Sequence, residues 1–493
     1  MRRHGIVAVL TLLVVQWGLS TLVFAQTIII PSLSVSERYD SNIFNVPKSL
    51  LRPDSQPEDF VTTVTPQINI AHAGSLIRGS LFGAGLVTRY LNNPSRDFTG
   101  YNVGGQLDLK DAARQVSPRI TSLTVRGTYR SVPSTTGFGA GGGGLGTGFG
   151  STAGGVLETG QVTNRASRQI YTLGVAGAYQ LTGVTTLNAA YDYSKISFGE
   201  QGAQSGGVTN LLFDTTGHQG STTISTRLSG RDTVGATATM SHFIQEDSSG
   251  TSGRGSFTTI TETMNWSRLW TQQLRTSLRG GGILRLPVGS AIPGQSSKSQ
   301  FVPTVGATMT YTSFSEELRE VGAFDGLPSL AGSLSPGGIV PPGAYTVLTS
   351  YRFSLVPGFA FGAGPLKVHV VGINATGGIT SKLSGQVGMN YSHGTRSAPT
   401  STFDTVGVTV GARYLLGPVL ASLTYEWLFF SREADQISSG QSQYEFSKKI
   451  VMLSFSYAFA SPSFFSEGIS FPSGTGTGSS PSGDGSGILR KEE

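Results

Sequence analysis

The sequence predicts an all-β fold: a transmembrane antiparallel β-barrel of about eighteen strands, with sixteen as the alternative, preceded by a cleaved signal peptide. Three observations predict it. Charge is scarce, at 13% of the 493 residues, about half the roughly 25% of an ordinary soluble domain. Aromatics nevertheless reach 9%, and the mean hydropathy of -0.01 is far below that of a helical membrane protein. Polar and apolar residues alternate with a period of two, which a helix with its period of 3.6 cannot place on opposite faces. Short turns also alternate with long polar loops, as in a barrel threaded from one side of a membrane.

Taken in order, residues 1–25 read as a secretory leader. Arg2 and Arg3 open it, an apolar run from Ile6 to Phe24 follows, and Val23-Phe24-Ala25 offers a small-x-small cleavage site before Gln26. A retained anchor is the other reading, but no cluster of charges follows to stop transfer. Removing the two arginines takes the formal charge from +6 to +4, too little to point to nucleic acid.

The barrel pattern then fills 26–460. Between Ser122 and Arg130, Leu123, Val125, Gly127 and Tyr129 oppose Thr124, Arg126, Thr128 and Arg130. The same alternation runs through 101–110, 170–181 and 383–392. Strands are expected near 30–38, 60–72, 76–92, 98–110, 119–131, 168–181, 185–197, 219–230 and 233–245. The second half places them near 256–269, 271–285, 299–313, 346–361, 365–373, 380–393, 402–416, 419–433 and 444–459. Tight links such as Leu181-Thr182-Gly183-Val184 alternate with loops such as 198–217 and 434–443.

Three segments break the rhythm. A glycine-rich stretch at 131–167 reads as a long loop, and 314–345 is an oddly long link in which Ser315 to Glu320 suggest a short helix. Residues 461–493 form a Ser/Gly/Pro tail of disordered composition.

Lipid offers no partner to an unpaired backbone N–H, so a sheet within it must close on itself. Apolar alternates then face outward. Tyr129, Tyr179, Tyr193, Tyr311, Tyr391, Tyr414, Trp427 and Tyr457 suit interfacial girdles on that phase. Asp108, Lys110, Arg126, Arg130, Asp192, Arg227, Glu262, Arg268, Arg413 and Glu426 are the candidates to line a wet lumen. Their mixed sign favours neutral or weakly charged polar solutes, since a ring of one sign would select the other.

Catalytic, cofactor and metal sites are not expected. Zero cysteines exclude thiolate chemistry, and His72, His218, His242, His369 and His393 lack the spacing of metal ligands. The glycine run lacks both a Gly-Lys-Ser/Thr and the strand–helix context of a phosphate cradle.

The opening of the expected barrel, Pro31-Ser32-Leu33-Ser34-Val35-Ser36-Glu37-Arg38-Tyr39-Asp40-Ser41-Asn42-Ile43-Phe44, resembles that of the beta-barrel porin 2 family, encoded with exopolysaccharide operons. The carriers are Tyr39, Asp40, Asn42 and Phe44, with Asp40 and Asn42 suited to an Asx-type turn. The resemblance implies a barrel of about eighteen strands in the outer membrane. It implies polysaccharide export through a hydrated lumen, with a periplasmic polysaccharide export protein as partner. A general diffusion porin is the alternative, and a non-conducting structural or adhesive barrel the second. Phe455, Tyr457 and Phe459 resemble the last-strand signal read by the barrel assembly machinery, although some thirty residues follow it.

Overall fold

The computed structural model describes residues 26–45, 47–48, 51, 56–133, 167–198, 213–247, 254–288, 299–313, 342–356, 366–397, 400–434 and 443–458. The leader, the glycine run at 137–144, the helix suggested at 315–320 and the tail lie outside the described residues.

Eighteen antiparallel strands form one closed sheet. They are β1 Gln26–Asp40, β2 Asp59–Ala73, β3 Arg78–Tyr90, β4 Phe98–Asp108, β5 Ile120–Pro133, β6 Ser167–Gln180, β7 Thr185–Phe198, β8 Phe213–Arg227 and β9 Asp232–Asp247. There follow β10 Arg254–Leu269, β11 Leu274–Val288, β12 Gln300–Thr312, β13 Tyr345–Val356, β14 Leu366–Gly378, β15 Leu383–Ser397, β16 Thr400–Leu416, β17 Val419–Ala434 and β18 Gln443–Ala458. Each pairs with its chain neighbours. The seam is β1 on β18, from Ser32 opposite Ala458 to Asp40 opposite Ile450. Eighteen, not sixteen, is therefore the strand number.

The expected strands correspond one for one, with displaced ends. β8 begins at Phe213 rather than 219, and β14 continues to Gly378 rather than 373. Both additions are rich in Thr, Gly and Asn, so hydropathy alternates weakly there while backbone pairing continues. β4 stops early because the Asp108 carboxylate accepts the Lys110 N–H at 2.9 Å, starting a short helix α1 of about two turns, Lys110–Val116.

One parity on each strand forms the outer wall. It carries Leu33 and Val35 on β1, Leu173 and Val175 on β6, Val387 and Met389 on β15, and Leu453 and Phe455 on β18, all large, apolar and exposed. A water-soluble protein would cover such a belt. A bilayer covers it instead, and closure leaves no strand edge unpaired inside it. All eight tyrosines and tryptophans expected on the girdles have this parity by register. Neighbours reinforce them: the hydroxyls of Tyr101 and Tyr129 lie 3.0 Å apart, and Tyr311 stacks near Tyr345 at 5.6 Å.

Four of the turns on one rim share a single design, beginning at Thr182, Ser229, Thr271 and Thr380. In each, the hydroxyl accepts two backbone N–H groups, at positions i+2 and i+3, as Thr182 does from Val184 and Thr185. These side chains replace the backbone partners that the bend removes. The opposite rim carries the other long links, whereas the long link between Thr312 and Tyr345 joins its strands on the turn rim.

Candidate channel lumen

The inner parity is rich in Ser, Thr, Asn, Gln, Gly and Ala with a few charges, and toward the loop rim it also carries buried apolar side chains such as Phe243, Phe257, Phe403, Phe430 and Phe446. The predicted lumen residues divide between the two faces. Asp108, Arg126, Arg130, Asp192, Arg227, Arg413 and Glu426 have the inner parity. Lys110 does not lie on the wall; it opens α1 beyond the end of β4. Glu262 and Arg268 share their parity with Ile260, Met264 and Trp266, and so belong to the outer wall. Near the turn rim Arg268 stacks on Trp270 at 4.5 Å and lies 3.7 Å from Asp232. Glu262 has no such company.

Two rows across the inner wall share a plan. In the first, Arg126 of β5, Gly174 of β6 and Asp192 of β7 are register neighbours. Arg126 Nη2 donates to Asp192 Oδ1 at 2.7 Å, directly over the glycine. A Cβ at Gly174 would collide with both side chains, so glycine is what lets the pair close. In the second row, Arg279 of β11, Gly306 of β12 and Arg352 of β13 are register neighbours. Here both flanks are arginine, and the Arg279 guanidinium lies 3.8–3.9 Å from where a Gly306 Cβ would stand.

The second row belongs to a one-sided arc. From β8 to β16 the inner parity bears Arg227, Arg275, Arg279, Arg285, Arg352 and Arg413. Among the described side chains no carboxylate faces inward on those strands; Asp214, Asp232, Glu246, Glu262 and Asp404 all have the outer parity. The acids of the inner wall, including Asp40, Asp59, Asp108, Asp192 and Glu426, lie on the complementary strands. The inner wall is therefore mixed in sign as a whole but segregated: among the described side chains, the charges on its β8–β16 half are all basic. Sequence reasoning missed Arg275, Arg279, Arg285 and Arg352 because their sidedness emerges only once parity is carried strand by strand.

The loop-rim mouth is narrowed from inside. After β1 the chain folds inward: Ile43 packs against Val61 and Tyr90, and Phe44 also touches the cluster of Val368, Phe403, Leu428, Phe430 and Phe446. Arg96 caps the Phe44 ring at 4.1 Å. The predicted turn residues hold this fold in place. Asp40 Oδ1 accepts the Asn42 N–H at 3.0 Å, the expected Asx geometry. Its Oδ2 receives Lys448 Nζ at 2.9 Å, and the same ammonium donates to Asn45 Oδ1 at 2.9 Å. Asp40 and Lys448 are 1% and 3% exposed. Tyr39 points outward, donating its hydroxyl to Glu58 at 2.8 Å. On β18, Phe455 and Tyr457 lie on the outer wall opposite Val35 and Leu33; Phe459 lies outside the described residues.

Among the described residues no group of three or more His, Cys, Asp or Glu gathers to hold a metal ion. No family model and no curated protein matches the chain. Among solved structures it is similar to OccK3 (OpdO) of Pseudomonas aeruginosa, 12% identical over 90% of this chain and 99% of that one, with TM-score 0.41. It is similar also to OccAB3 of Acinetobacter baumannii, at 9% identity, 87% and 99% coverage and TM-score 0.42. A third is the FrpB iron transporter of Neisseria meningitidis, at 10% identity, 87% and 82% coverage and TM-score 0.44.

Proposed function

We propose that this chain is an outer-membrane diffusion channel for small polar solutes, with a preference for anions. The Arg279–Gly306–Arg352 row carries the reading. It repeats the Arg126–Gly174–Asp192 row with a second guanidinium where the acid stands, so two like charges flank one glycine on the inner wall, a setting that attracts a carboxylate or phosphate on a passing solute. A planar guanidinium suits both groups. The one-sided arc concentrates such solutes along one wall, as a ring of one sign selects ions of the other. The hydrated lumen of a barrel this size provides the path, and the inward fold after β1 restricts its mouth.

Reversal potential across a planar bilayer under a potassium chloride gradient tests it. The wild-type barrel is expected to be open and chloride-selective, and Arg279→Glu/Arg352→Glu to become cation-selective with its gel mobility unchanged. Cation selectivity in the wild type would overturn the preference. A barrel that conducts only after a periplasmic partner is added would support polymer export in its place.

A further inference from the structure

Glu262 is the carboxylate that the barrel's architecture leaves unexplained. It lies at the middle of β10, on the outer wall, between Ile260 and Met264. Trp266 stands four residues toward the turn rim, and Thr258, hydrogen-bonded to His242, stands four residues toward the loops. Glu262 is exposed, and among the described residues nothing pairs with it. Hydrocarbon is a costly setting for such a group, and an intramembrane acid points by default to a partner.

The wall around it is unlike the rest of the belt. In its register row lie Thr222 on β8, Ala238 on β9 and Gly282 on β11. The next row reads Ile224, Ala236, Met264 and Gly280. In these two rows large and small side chains alternate strand by strand, with the Phe301 ring of β12 lying over Gly282; the row on the loop side, Gly220, Met240, Ile260 and Leu284, does not alternate. Met264 is 74% exposed, and open space lies over Gly220 and Gly280. Elsewhere a row of the outer wall is filled throughout, as by Val387, Val410, Tyr425 and Val451 on β15–β18. A surface with protruding side chains on one strand and hollows on the next suits a copy of itself. A two-fold axis along the membrane normal, passing between β9 and β10, sets the larger side chains of these two rows over the smaller ones of the other copy, the isologous pattern of a symmetric pair.

We propose that two copies of this chain associate in the membrane through β8–β11, burying Glu262 between them. The polar side chains available to the carboxyl at that level are the partner subunit's Glu262 and the partner subunit's Thr222. Two carboxyls can share one proton, and a threonine hydroxyl can donate to either. Four strands at about 4.8 Å spacing across an apolar band about 25 Å tall give about 500 Å² per copy, toward the lower end for a specific pair.

The chain has no cysteine, so one introduced thiol reports the contact. Ala238→Cys in isolated outer membranes, treated with a short bis-maleimide, is expected to give a covalent dimer; Val387→Cys, on a distant sector of the outer wall, is expected to give none. In the Ala238→Cys background, Glu262→Gln should keep the dimer, because a carboxamide both donates and accepts. Glu262→Leu should lose most of it, although leucine suits lipid better than glutamate does. Equal crosslinking from both thiols, no crosslinking from Ala238→Cys, or full crosslinking with Glu262→Leu would each overturn the proposal. Heat-dependent gel mobility, measured on every variant, confirms that the barrel has formed.

Discussion

Lys448 and Asp40 bring together the last strand and the first loop, and their burial fixes what substitution does. Lys448→Met leaves the buried Asp40 carboxylate with only Arg38, 3.9 Å from its Oδ2, as a cation, a loss of up to about 3–5 kcal/mol. Lys448→Met with Asp40→Asn removes both charges and should recover most of that loss. Urea unfolding of the detergent-solubilised barrel measures both; equal loss in single and double variants would mean that the pair is not coupled. At this scale the sequence was partly legible. Asp40 and Asn42 were readable as an Asx turn because that bond spans two residues, whereas Lys448 lies 403 residues from Asn45 and nothing local points to it. Glu262 and Arg268 were misplaced for a different reason. Charge suggests the wet face, while Ile260, Met264 and Trp266, on the same parity, mark that face of β10 as lipid-facing.

Among the elements, strands were legible wherever one face is apolar, because period two is a local property. Their ends were less so, since Thr- and Gly-rich segments pair without alternating. The seven-residue helix α1 is too short to show a period of 3.6, and it depends on the Asp108 carboxylate. The inward fold after β1 was illegible because Ile43 and Phe44 find their partners on β2, β3, β14, β16, β17 and β18. Those contacts make a prediction about this segment. Ile43→Ser/Phe44→Ser removes the apolar anchors and should raise single-channel conductance, with the selectivity of the arginine arc retained. Unchanged conductance would show that the narrowest point lies elsewhere.

For the whole molecule, the arginine arc and the outer-wall acid arise from the same register, and neither can be read from a single strand. A one-residue slip in any pairing would exchange the faces of every strand beyond it. Closure constrains that register from both ends, since β1 must meet β2 and β18 in turn. That seam is built like any other join in the ring. A circularly permuted chain, with residue 458 linked back to residue 26 and new termini opened at Gly230, therefore keeps all eighteen pairings. It should refold in detergent micelles to the same heat-sensitive band. If it does, a circle of hydrogen bonds has no first strand, and only the cell's assembly route gives the polypeptide a beginning.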